Sequence, residues 1–450
     1  MSKGEQQKWK GSRVIVVGMG RSGLAAAEWL LAQSAEVTMF DESKNPAVAE
    51  LAGTWKSRGA TVMTGREELP SVRFDRAILS PGIPPSRPVV RQLRAAKVPI
   101  TGELELGAQA CLCPIVAVTG TNGKSTTTEL IAQIALAAGQ RAVACGNLGK
   151  PICEVAPLSR NLDLVVVEVS SFQLETIETF HPRVAVYLNL TPDHLDRYAD
   201  MKEYATAKAR IFKNQKANDI AVVRKGIVLP KSQARMVTFT ADGTGADYTL
   251  QDGWLCARGE KVMRQDETRL RGSHNAENLL AALAVADAEK ISREAVLSAF
   301  RAYQALPHRC EVVAVRAGVT WVNDSKATNL DAMERAVCGM TGPVILIAGG
   351  KDKGFDFSGS RAVLEGKVRA VLLLGEMSAK IERAWSGCVP CRRVRDVAEA
   401  VKRAAEMARP GESVLLSPGC SSYDMFKNFE DRGDKYRQCV TALPKEEISK

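Results

Sequence analysis

The sequence lacks any long apolar run, and this absence sets the first limit on what the protein can be. Across its 450 residues, no window approaches the roughly 18 uncharged apolar residues that a membrane-spanning helix needs. The first residues, MSKGEQQKWKGSR, are polar and contain no apolar core of the kind found in a signal peptide. We therefore expect no membrane partner and a cytoplasmic location.

Metal-binding cysteine motifs are lacking as well. Eleven cysteines are scattered along the chain, and the only close pairs are Cys111/Cys113 and Cys388/Cys391. A cysteine-based zinc site normally needs a second pair, or histidines at a set spacing, and the sequence places neither beside these pairs. We expect reduced thiols.

The third thing that the sequence lacks is a cluster of positive charge. The net charge is +10, but the basic residues are dispersed, and aromatic residues make up only 5% of the chain. Nucleic-acid-binding proteins typically carry basic runs interleaved with aromatic residues. We therefore expect no nucleic-acid partner. A dispersed basic excess also suits a protein that binds several phosphates and carboxylates at once.

What the sequence does contain is a regular alternation of strand-length apolar runs and amphipathic helical stretches. This alternation is typical of an α/β protein in which helices cover both faces of parallel sheets. Three blocks of this kind can be separated, and they begin with the strands RVIVVG, PIVAVTG and VTWVN. In each block a strand ends in a loop of small residues, which predicts a ligand-facing edge where the strands end.

The most informative stretch is VAVTGTNGKSTTTEL, residues 116–130. A strand leads through Gly120–Ser125 to a helix, so backbone N–H groups and the helix dipole point at one place where an anion would be stabilised. Lys124 adds positive charge for terminal phosphates, and the Ser125 hydroxyl can bind Mg²⁺. Val118 stands where the generic motif has its first glycine. The alternative is a tight turn with an exposed lysine, but Gly-Lys-Ser after a buried strand is specific enough to predict ATP binding.

Acidic side chains follow two further apolar strands. Glu168 comes at the end of LDLVVVE, and Asp193, His194 and Asp196 come just after VAVYLNL. A buried carboxylate is costly unless it is paired or coordinates a metal. Taken alone, His194 could be an ordinary loop histidine. Beside a phosphate loop, the pattern predicts that Glu168 and His194 bind metal.

A second glycine-rich loop lies near the N-terminus, in VIVVGMGRSGLAAAEWL at residues 14–30. Gly18, Gly20 and Gly23, with Asp41 about twenty residues later, match the dinucleotide-binding fingerprint. An NAD-dependent oxidoreductase is therefore one alternative. It would leave three features without roles: the Gly-Lys-Ser sequence, Glu168 and the later motif DSKATN at residues 324–329. A non-enzymatic ATP-dependent switch or a nucleic-acid-binding module is another, because it would explain the second loop and the positive charge.

Six motifs, in this order and at these approximate spacings, resemble the Mur ligase family, the ATP-dependent amino-acid ligases of peptidoglycan precursor synthesis: GTNGKST, EVSSFQLE, NLTPDHLDRY, HNAENLLAA, LPHR and DSKATN. The resemblance covers nearly the whole chain. It implies three α/β domains: a Rossmann-like UDP-binding domain (residues 1–106), a central P-loop-type ATPase domain with a mainly parallel sheet (107–309), and a Rossmann-like amino-acid-binding domain (310–450).

Within the family, NDSKATN at 323–329 and SPGCSSYDMFKNFEDRG at 417–433 resemble the member that adds D-glutamate to UDP-N-acetylmuramoyl-L-alanine. Another Mur-type or folylpolyglutamate-type ligase is the alternative, but the Asp-Asn-Pro-Arg or His-Pro-type motifs expected of those enzymes are missing here. The resemblance implies that ATP phosphorylates the L-alanyl carboxylate and that the amine of D-glutamate attacks the acyl phosphate. It also implies a monomer that closes over its substrates.

The resemblance further assigns residues to sites, position by position. The residues implied to be catalytic are Lys124, Glu168, His194 and Lys208. Two Mg²⁺ ions, which Mn²⁺ could replace, would be bound by Ser125, Glu168, His194 and a carbamylated Lys208; without the family, Lys208 would be read as a solvated helix lysine. ATP would contact Thr119, Gly120, Thr121, Asn122, Gly123, Lys124, Ser125, Thr126, Asn275, Asn278, Arg309, Asp324 and Lys326.

The remaining assignments concern the other two substrates. The UDP-sugar would contact Gly20, Arg21, Ser22, Ser80, Pro81, Gly82, Asn147, Ser170 and His194. This chain has Glu42-Ser43 where the family often places a basic residue beside the uridine. D-glutamate would contact Thr328, Lys353, Ser422 and Phe429; by residue type alone, Phe429 would be an ordinary helix anchor.

Overall fold

The structure is a computed structural model that describes residues 9–304, 307–351 and 354–444. The chain divides into two compact units. The first unit contains the residues up to Asn189, Lys202–Glu267 and Ala276–Tyr303, and the second contains Leu190–Met201, Thr268–Asn275 and the residues from Gln304 onward. Within the described residues, no helix combines the length and the apolar character needed to cross a membrane.

The first unit begins with a five-stranded, fully parallel sheet in the order β3-β2-β1-β4-β5. Its strands are β1 (Arg13–Val17), β2 (Glu36–Asp41), β3 (Thr61–Thr64), β4 (Arg76–Leu79) and β5 (Ile100–Gly102). Its helices are α1 (Arg21–Ala32), α2 (Pro46–Ser57), α3 (Pro88–Ala95) and α4 (Glu103–Ala110). Because the strand order reverses at β1, the loop after β1 lies at the position where such sheets bind ligands.

The second sheet of this unit has nine strands in the order β14-β13-β12-β11-β10-β9-β6-β8-β7. The strands are β6 (Ile115–Thr119), β7 (Ala142–Gly146), β8 (Leu164–Glu168), β9 (Val184–Tyr187), β10 (Ile220–Arg224), β11 (Arg235–Thr240), β12 (Tyr248–Gln251), β13 (Trp254–Ala257) and β14 (Glu260–Arg264). Strands β6 to β12 run parallel, and β13 and β14 add an antiparallel edge. The predicted, mainly parallel central sheet is thus confirmed.

Strands β6, β8 and β9 in the middle of this sheet are buried at every residue. Burial on both faces explains why they appear in the sequence as continuous apolar runs without alternation. The helices of this region are α5 (Lys124–Ala137), α6 (Ile152–Val155), α7 (Ser171–Leu174), α8 (Met201–Ala209), α9 (Ser273–Ala288) and α10 (Arg293–Ala302).

The second unit is built on a six-stranded sheet in the order β15-β16-β20-β17-β18-β19, in which only the edge strand β15 is antiparallel. Its strands are β15 (Glu311–Arg316), β16 (Val319–Asn323), β17 (Val344–Ala348), β18 (Val368–Leu373), β19 (Cys391–Arg393) and β20 (Ser413–Leu416), and its helices are α11 (Leu330–Gly339), α12 (Arg361–Lys367), α13 (Ser378–Trp385), α14 (Val397–Met407) and α15 (Phe429–Thr441). The three predicted α/β blocks are confirmed as three sheets, while the boundaries at residues 106 and 309 stay predictions.

Candidate active site

The loop between β6 and α5 has the geometry of a phosphate-binding loop. Gly120 and Gly123 adopt φ angles of +151° and +81°, which L side chains rarely adopt. A Cβ atom on Gly123 would lie 2.2 Å from the Oδ1 atom of Asn278. Both glycines are therefore required by the backbone path, and the loop directs the first turn of α5 toward the strand ends.

Asn189, two residues after the end of β9, holds this loop in shape. Its Oδ1 atom accepts hydrogen bonds from the backbone N–H groups of Thr121 and Asn122, at 3.1 and 2.9 Å, and its Nδ2 atom donates to the Asn122 carbonyl at 3.0 Å. The sequence analysis missed this residue. Its available signal was a polar residue in the short segment after the apolar strand β9, four residues before Asp193.

Two lysines converge on the loop. The Nζ atom of Lys124 donates to the carbonyls of Gly120 (3.0 Å) and Thr121 (2.7 Å), and that of Lys208 donates to the Gly120 carbonyl at 2.7 Å. Lys208 is only 1% exposed and lies over the Tyr204 ring. The reading of Lys208 as a solvated helix lysine is thus wrong, because residue spacing alone does not show which face of α8 packs against the sheet.

Glu168 is the last residue of β8, the strand beside β6, and it is 1% exposed. Its Oε1 atom accepts a hydrogen bond from the Asn147 Nδ2 atom at 2.8 Å. On the neighbouring strand, Thr119 donates from Oγ1 to the Val169 carbonyl at 2.9 Å. The predicted carboxylate therefore lies at the same end of the sheet as the glycine loop.

The donors at this end of the sheet suit Mg²⁺. Ser125 and Glu168 offer a buried hydroxyl and a buried carboxylate, and hard cations prefer oxygen ligands. Over the described ranges, no group of three or more His, Cys, Asp or Glu side chains is arranged to hold a metal ion.

Other predicted residues near the loop have structural contacts of their own. Asn278 accepts a hydrogen bond from the Thr127 hydroxyl at 3.2 Å, and Thr126 is buried at the start of α5. Ser170 caps α7 through a reciprocal capping box with Gln173. The Ser170 hydroxyl therefore has a structural role beside any contact with substrate.

His194 belongs to the second unit and has a left-handed backbone, with φ of +57°. Its N–H donates to the Oδ1 atom of Asp193 at 2.9 Å, and the Oδ2 atom of Asp193 accepts from Asn329 at 3.1 Å. Asp193 thus joins the predicted histidine to the DSKATN loop. Asn275, also in this unit, donates to the Arg271 carbonyl at 2.9 Å.

The DSKATN loop contains a buried acid. Asp324 accepts hydrogen bonds from the Ser417 hydroxyl at 2.7 Å and from the Cys310 N–H at 3.1 Å. Burial raises the pKa of Asp324 to about 6, although these hydrogen bonds oppose the shift. Arg309, one residue before Cys310 in the chain, also lowers the pKa of Asp324 by its charge. Arg309 and Asp324, two of the residues predicted to contact ATP, therefore interact electrostatically.

Lys326 and Phe429 are in direct contact. The Nζ atom of Lys326 lies 3.9 Å from the centre of the Phe429 ring, a cation–π arrangement. Thr328 is partly exposed and Ser422 is buried, at 2% exposure. The fourth residue predicted for D-glutamate, Lys353, lies outside the described residues.

Arg432, which no sequence motif singled out, connects the DSKATN loop to the segment around Cys420. It is fully buried, and its guanidinium donates to the Ser325 hydroxyl, the Ser325 carbonyl and the Cys420 carbonyl at 3.0, 2.8 and 3.1 Å. Burial lowers the pKa of Arg432 to about 10. An arginine three residues after Phe429, the expected helix anchor, was the available signal, but the sequence did not show that it faces inward.

The first glycine loop follows β1. A Cβ atom on Gly23 would lie 1.9 Å from the Gly18 carbonyl oxygen, so helix and loop approach as closely as the fingerprint requires. Asp41 does not extend away from this loop: its Oδ2 atom accepts from the Met19 N–H at 2.8 Å and its Oδ1 atom from the Ser43 N–H at 2.9 Å. The acid expected to contact a ribose in an NAD enzyme is used to shape the loop itself.

The remaining residues predicted for the sugar nucleotide surround this loop. Ser80 donates from Oγ to the Gly18 carbonyl at 3.0 Å, and Arg21 donates to the Gly149 carbonyl. Gly20, Ser22, Pro81 and Gly82 are at least partly exposed beside these contacts. Glu42 forms an ion pair with Arg87, so a cation stands beside the position where this chain lacks the family's basic residue.

Three family models match the chain. They are described as Mur ligase MurD-like, N-terminal domain (residues 12–102), Mur ligase middle domain (118–286), and Mur ligase, glutamate ligase domain (308–420). Together they cover most of the 450 residues.

Relatives over nearly the full length carry a common name. A UDP-N-acetylmuramoylalanine--D-glutamate ligase of Desulfosudis oleivorans is 39% identical over 444 residues, with 96% of each chain covered. A protein of the same name from Myxococcus xanthus is 40% identical, covering 96% of this chain and 99% of the relative.

Solved structures with a similar fold include a UDP-N-acetylmuramate-alanine ligase from Thermotoga maritima (TM-score 0.61, 17% identity, covering 96% of this chain and 100% of that one). Another is a MurF ligase from the same organism in complex with ADP (TM-score 0.62, 17% identity, covering 97% and 96%). At such identities the likeness shows the fold, and it confirms the predicted three-domain α/β class.

Proposed function

This chain belongs to the Mur ligase family, and we propose that it adds D-glutamate to UDP-N-acetylmuramoyl-L-alanine in an ATP-dependent reaction that gives ADP and phosphate. The support for this substrate pair is the shared name of relatives that are 38–40% identical over nearly their whole length. Because all assigned residues lie on one chain, the proposal needs no second copy. ATP as co-substrate supports a cytoplasmic site of action.

The observation that carries the ATP-dependent chemistry is the loop Gly120–Ser125 with Lys124, Lys208 and Glu168 at one end of the central sheet. In the structure the Lys124 ammonium donates hydrogen bonds to the Thr121 and Gly120 carbonyl oxygens of its own loop, at 2.7 and 3.0 Å. We expect it to exchange these carbonyls for phosphate oxygens, which offer the ammonium an anionic acceptor in place of a neutral one. Positioning and charge neutralisation then supply most of the catalysis.

We propose that Ser125, Glu168 and His194 hold Mg²⁺ and that Lys208 is carbamylated. Bound Mg²⁺ would neutralise charge on the phosphate oxygens during phosphoryl transfer. The carbamate proposal is supported by the position of Lys208, which is 1% exposed and donates from Nζ to the Gly120 carbonyl of the phosphate-binding loop at 2.7 Å. Turning this amine into an anion would also give the site another oxygen donor.

The other residues divide between the two further substrates. We propose that the first glycine loop, with Gly20, Arg21, Ser22, Ser80, Pro81 and Gly82, binds the UDP end of the sugar nucleotide, while Asn147, Ser170 and His194 contact its sugar-peptide part. Thr328, Lys353, Ser422 and Phe429 would contact D-glutamate. ATP would extend from Thr119–Thr126 to Asn275, Asn278, Arg309, Asp324 and Lys326. The ion pair of Glu42 and Arg87 supports a role for Arg87 in place of the family's basic residue.

Phosphate release from ATP and Mg²⁺ tests the proposal, with UDP-N-acetylmuramoyl-L-alanine present and each amino acid offered in turn. We expect turnover with D-glutamate and formation of the amide product, detected by mass spectrometry. Turnover with L-lysine or diaminopimelate but not D-glutamate would contradict the substrate assignment. Hydrolysis that is independent of the sugar nucleotide would instead favour an ATP-driven switch.

Lys208→Ala and Lys202→Ala form a matched pair for the carbamate, because both lysines lie on α8 and Lys202 is exposed. We expect Lys208→Ala to lose activity and to regain part of it with added short carboxylates, and a ¹³C-bicarbonate-derived carbamate signal to disappear from its NMR spectrum. An unchanged signal in Lys208→Ala would reject the assignment.

A further inference from the structure

Cys111 and Cys113 lie in the connection between α4 and β6, and their Sγ atoms are 3.8 Å apart. Both side chains are partly exposed. We propose that this pair is a reversible oxidation site, which a peroxide-class oxidant converts into an intramolecular disulfide. The inference does not depend on the proposed ligase reaction.

The local backbone holds the two thiols together. Between them, the N–H of Leu112 donates to the Oγ atom of Ser159 at 2.9 Å, and the Ser159 hydroxyl donates in turn to the Ala156 carbonyl at 2.6 Å. Ser159 is 1% exposed, so this anchor is shielded from water. Because a disulfide bond is about 2.0 Å long, bond formation requires the sulfur atoms to approach by only about 2 Å.

The contact between the thiols also divides their roles. The hydrogen bond from Cys113 lowers the pKa of Cys111 to about 6, while burial opposes this shift. The same contact raises the pKa of Cys113. Of the two thiols, Cys111 is therefore the one that more readily becomes a thiolate.

The chemistry balances with hydrogen peroxide as the oxidant. The Cys111 thiolate attacks one peroxide oxygen, so an S–O bond forms, the O–O bond breaks, and the departing hydroxide takes a proton to become water. The Cys113 sulfur then attacks the Cys111 sulfenic acid: the S–S bond forms, the S–O bond breaks, and the hydroxyl leaves as water with the Cys113 proton. Two electrons pass from the two thiols to the peroxide, and a dithiol reductant reverses the change.

The chain supplies its own control in Cys388 and Cys391, which are also partly exposed and close in sequence. Their thiols donate to backbone carbonyls instead: Cys388 to Trp385 at 3.1 Å and Cys391 to Val389 at 3.5 Å. Burial raises the pKa of both. This pair therefore matches the first in exposure and differs in thiolate character.

The test treats the full chain with near-stoichiometric hydrogen peroxide at pH 7, alkylates the remaining thiols and maps them by mass spectrometry. We expect the peptide with Cys111 and Cys113 to lose two hydrogen atoms at least about fivefold faster than Cys388 and Cys391 react. Dithiothreitol should restore the thiols. Equal rates at the two pairs, or bonding of Cys111 to a different cysteine, would overturn the proposal.

Two variants separate the roles of the thiols. In Cys113→Ser we expect Cys111 to stop at the sulfenic acid, which a dimedone probe captures, whereas Cys111→Ser should give neither disulfide nor captured adduct. Cys388→Ser should behave like the parent protein. If Cys111→Ser still yields a captured sulfenic acid on Cys113 at the parent rate, the assignment of the nucleophile is wrong. The readout on the unmodified chain does not depend on how the variants fold.

Discussion

The two glycine loops of this chain share one backbone design and differ in the side chains placed around it. In both, a buried strand runs through glycines into a helix. At the first loop, the acid Asp41 accepts the Met19 N–H. At the second, the amide of Asn189 accepts the loop N–H groups, and Lys124 and Lys208 donate to loop carbonyls. The side chains supplied by neighbouring elements therefore distinguish the ligands that the backbone alone would accept.

This difference bears on the oxidoreductase alternative. The glycine spacing of the first loop is what an NAD-binding protein also shows. The chemistry-bearing groups, however, gather at the second loop: two lysines, a buried hydroxyl and the buried carboxylate of Glu168. A loop of the first kind binds and orients a pyrophosphate, and one of the second kind can also stabilise charge that moves during a reaction.

The largest expected effect comes from removing the cation of the second loop. Lys124→Ala should lower the rate of phosphate release by about a thousandfold, since one preorganised charge at a phosphoryl centre is removed. The melting temperature should change little, because Lys124 is only partly buried. Lys202→Ala, an exposed lysine on α8, serves as the control. Full turnover of Lys124→Ala would show that the second loop does not handle ATP.

Gly23→Ala should damage the first loop most. Its new Cβ atom would meet the Gly18 carbonyl oxygen at 1.9 Å, so we expect a loss of about 3 kcal/mol or more in the free energy of unfolding, measured in urea. Gly20→Ala is the matched control, since no atom lies within 4 Å of a Cβ there and its φ is −78°. If both variants are equally stable, the close approach of helix and loop is not what the glycine provides.

Glu103, the first residue of α4, joins this helix to α6 by accepting the Cys153 N–H at 2.7 Å. Burial raises its pKa from 4.5 to about 7, while the hydrogen bonds from Cys153 oppose the shift. A raised folded-state pKa gives stability that is complete below pH 4.5 and is lost as the pH rises through about 7. The parent chain should therefore lose about 2 to 3 kcal/mol over this window relative to Glu103→Gln, followed by urea unfolding at several pH values.

Glu105, two residues later on the same helix, provides the control of opposite sign. Burial alone would raise its pKa, but hydrogen bonds from Thr179 and the Glu178 N–H lower it overall. Its contribution to stability is present above pH 4.5 and is lost as the pH falls. A parallel pH response of Glu103→Gln and Glu105→Gln would contradict the account.

The smallest of these effects is expected from Asp41→Asn. An amide keeps the shape but weakens the hydrogen bonds to the loop, so the KM for the sugar nucleotide should rise several-fold, about 1 kcal/mol, with the KM for ATP unchanged. Asp75→Asn is the control, because Asp75 accepts the Arg13 N–H at 2.8 Å at the opposite end of β1. If only the KM for ATP rose, the assignment of the first loop to the sugar nucleotide would be wrong.

The features that could be predicted from the sequence are local ones, formed by residues that follow one another in the chain. Gly120–Ser125 could be read because strand, loop and helix follow one another, and the apolar runs of β6, β8 and β9 could be read because strands buried on both faces need them. Features that depend on packing could not. The Lys208 side chain is buried because of how α8 packs, and the spacing of residues in the sequence does not reveal that packing.

The same reason explains the other differences. Asn189 and Arg432 act through contacts with residues far away in the chain, so neither forms a local motif. Asp41 was recognised as part of the fingerprint, but its two hydrogen bonds to the backbone became apparent only when the loop and the end of β2 were placed together. Residue type and spacing predicted candidate ligand sites, and tertiary contacts determined which hydrogen bonds each side chain makes there.

The central claim is that the first glycine loop binds the sugar nucleotide and the second binds ATP. Hydrogen–deuterium exchange of the two loops in the presence of each ligand tests it most directly. With Mg²⁺ and a non-hydrolysable ATP analogue, we expect amide protection in the peptide that contains Thr119–Thr126 and little change in the one that contains Gly18–Gly23. With UDP-N-acetylmuramoyl-L-alanine, the protected peptide should be the one that contains Gly18–Gly23. Protection of Gly18–Gly23 by the ATP analogue, without protection of Thr119–Thr126, would contradict the account.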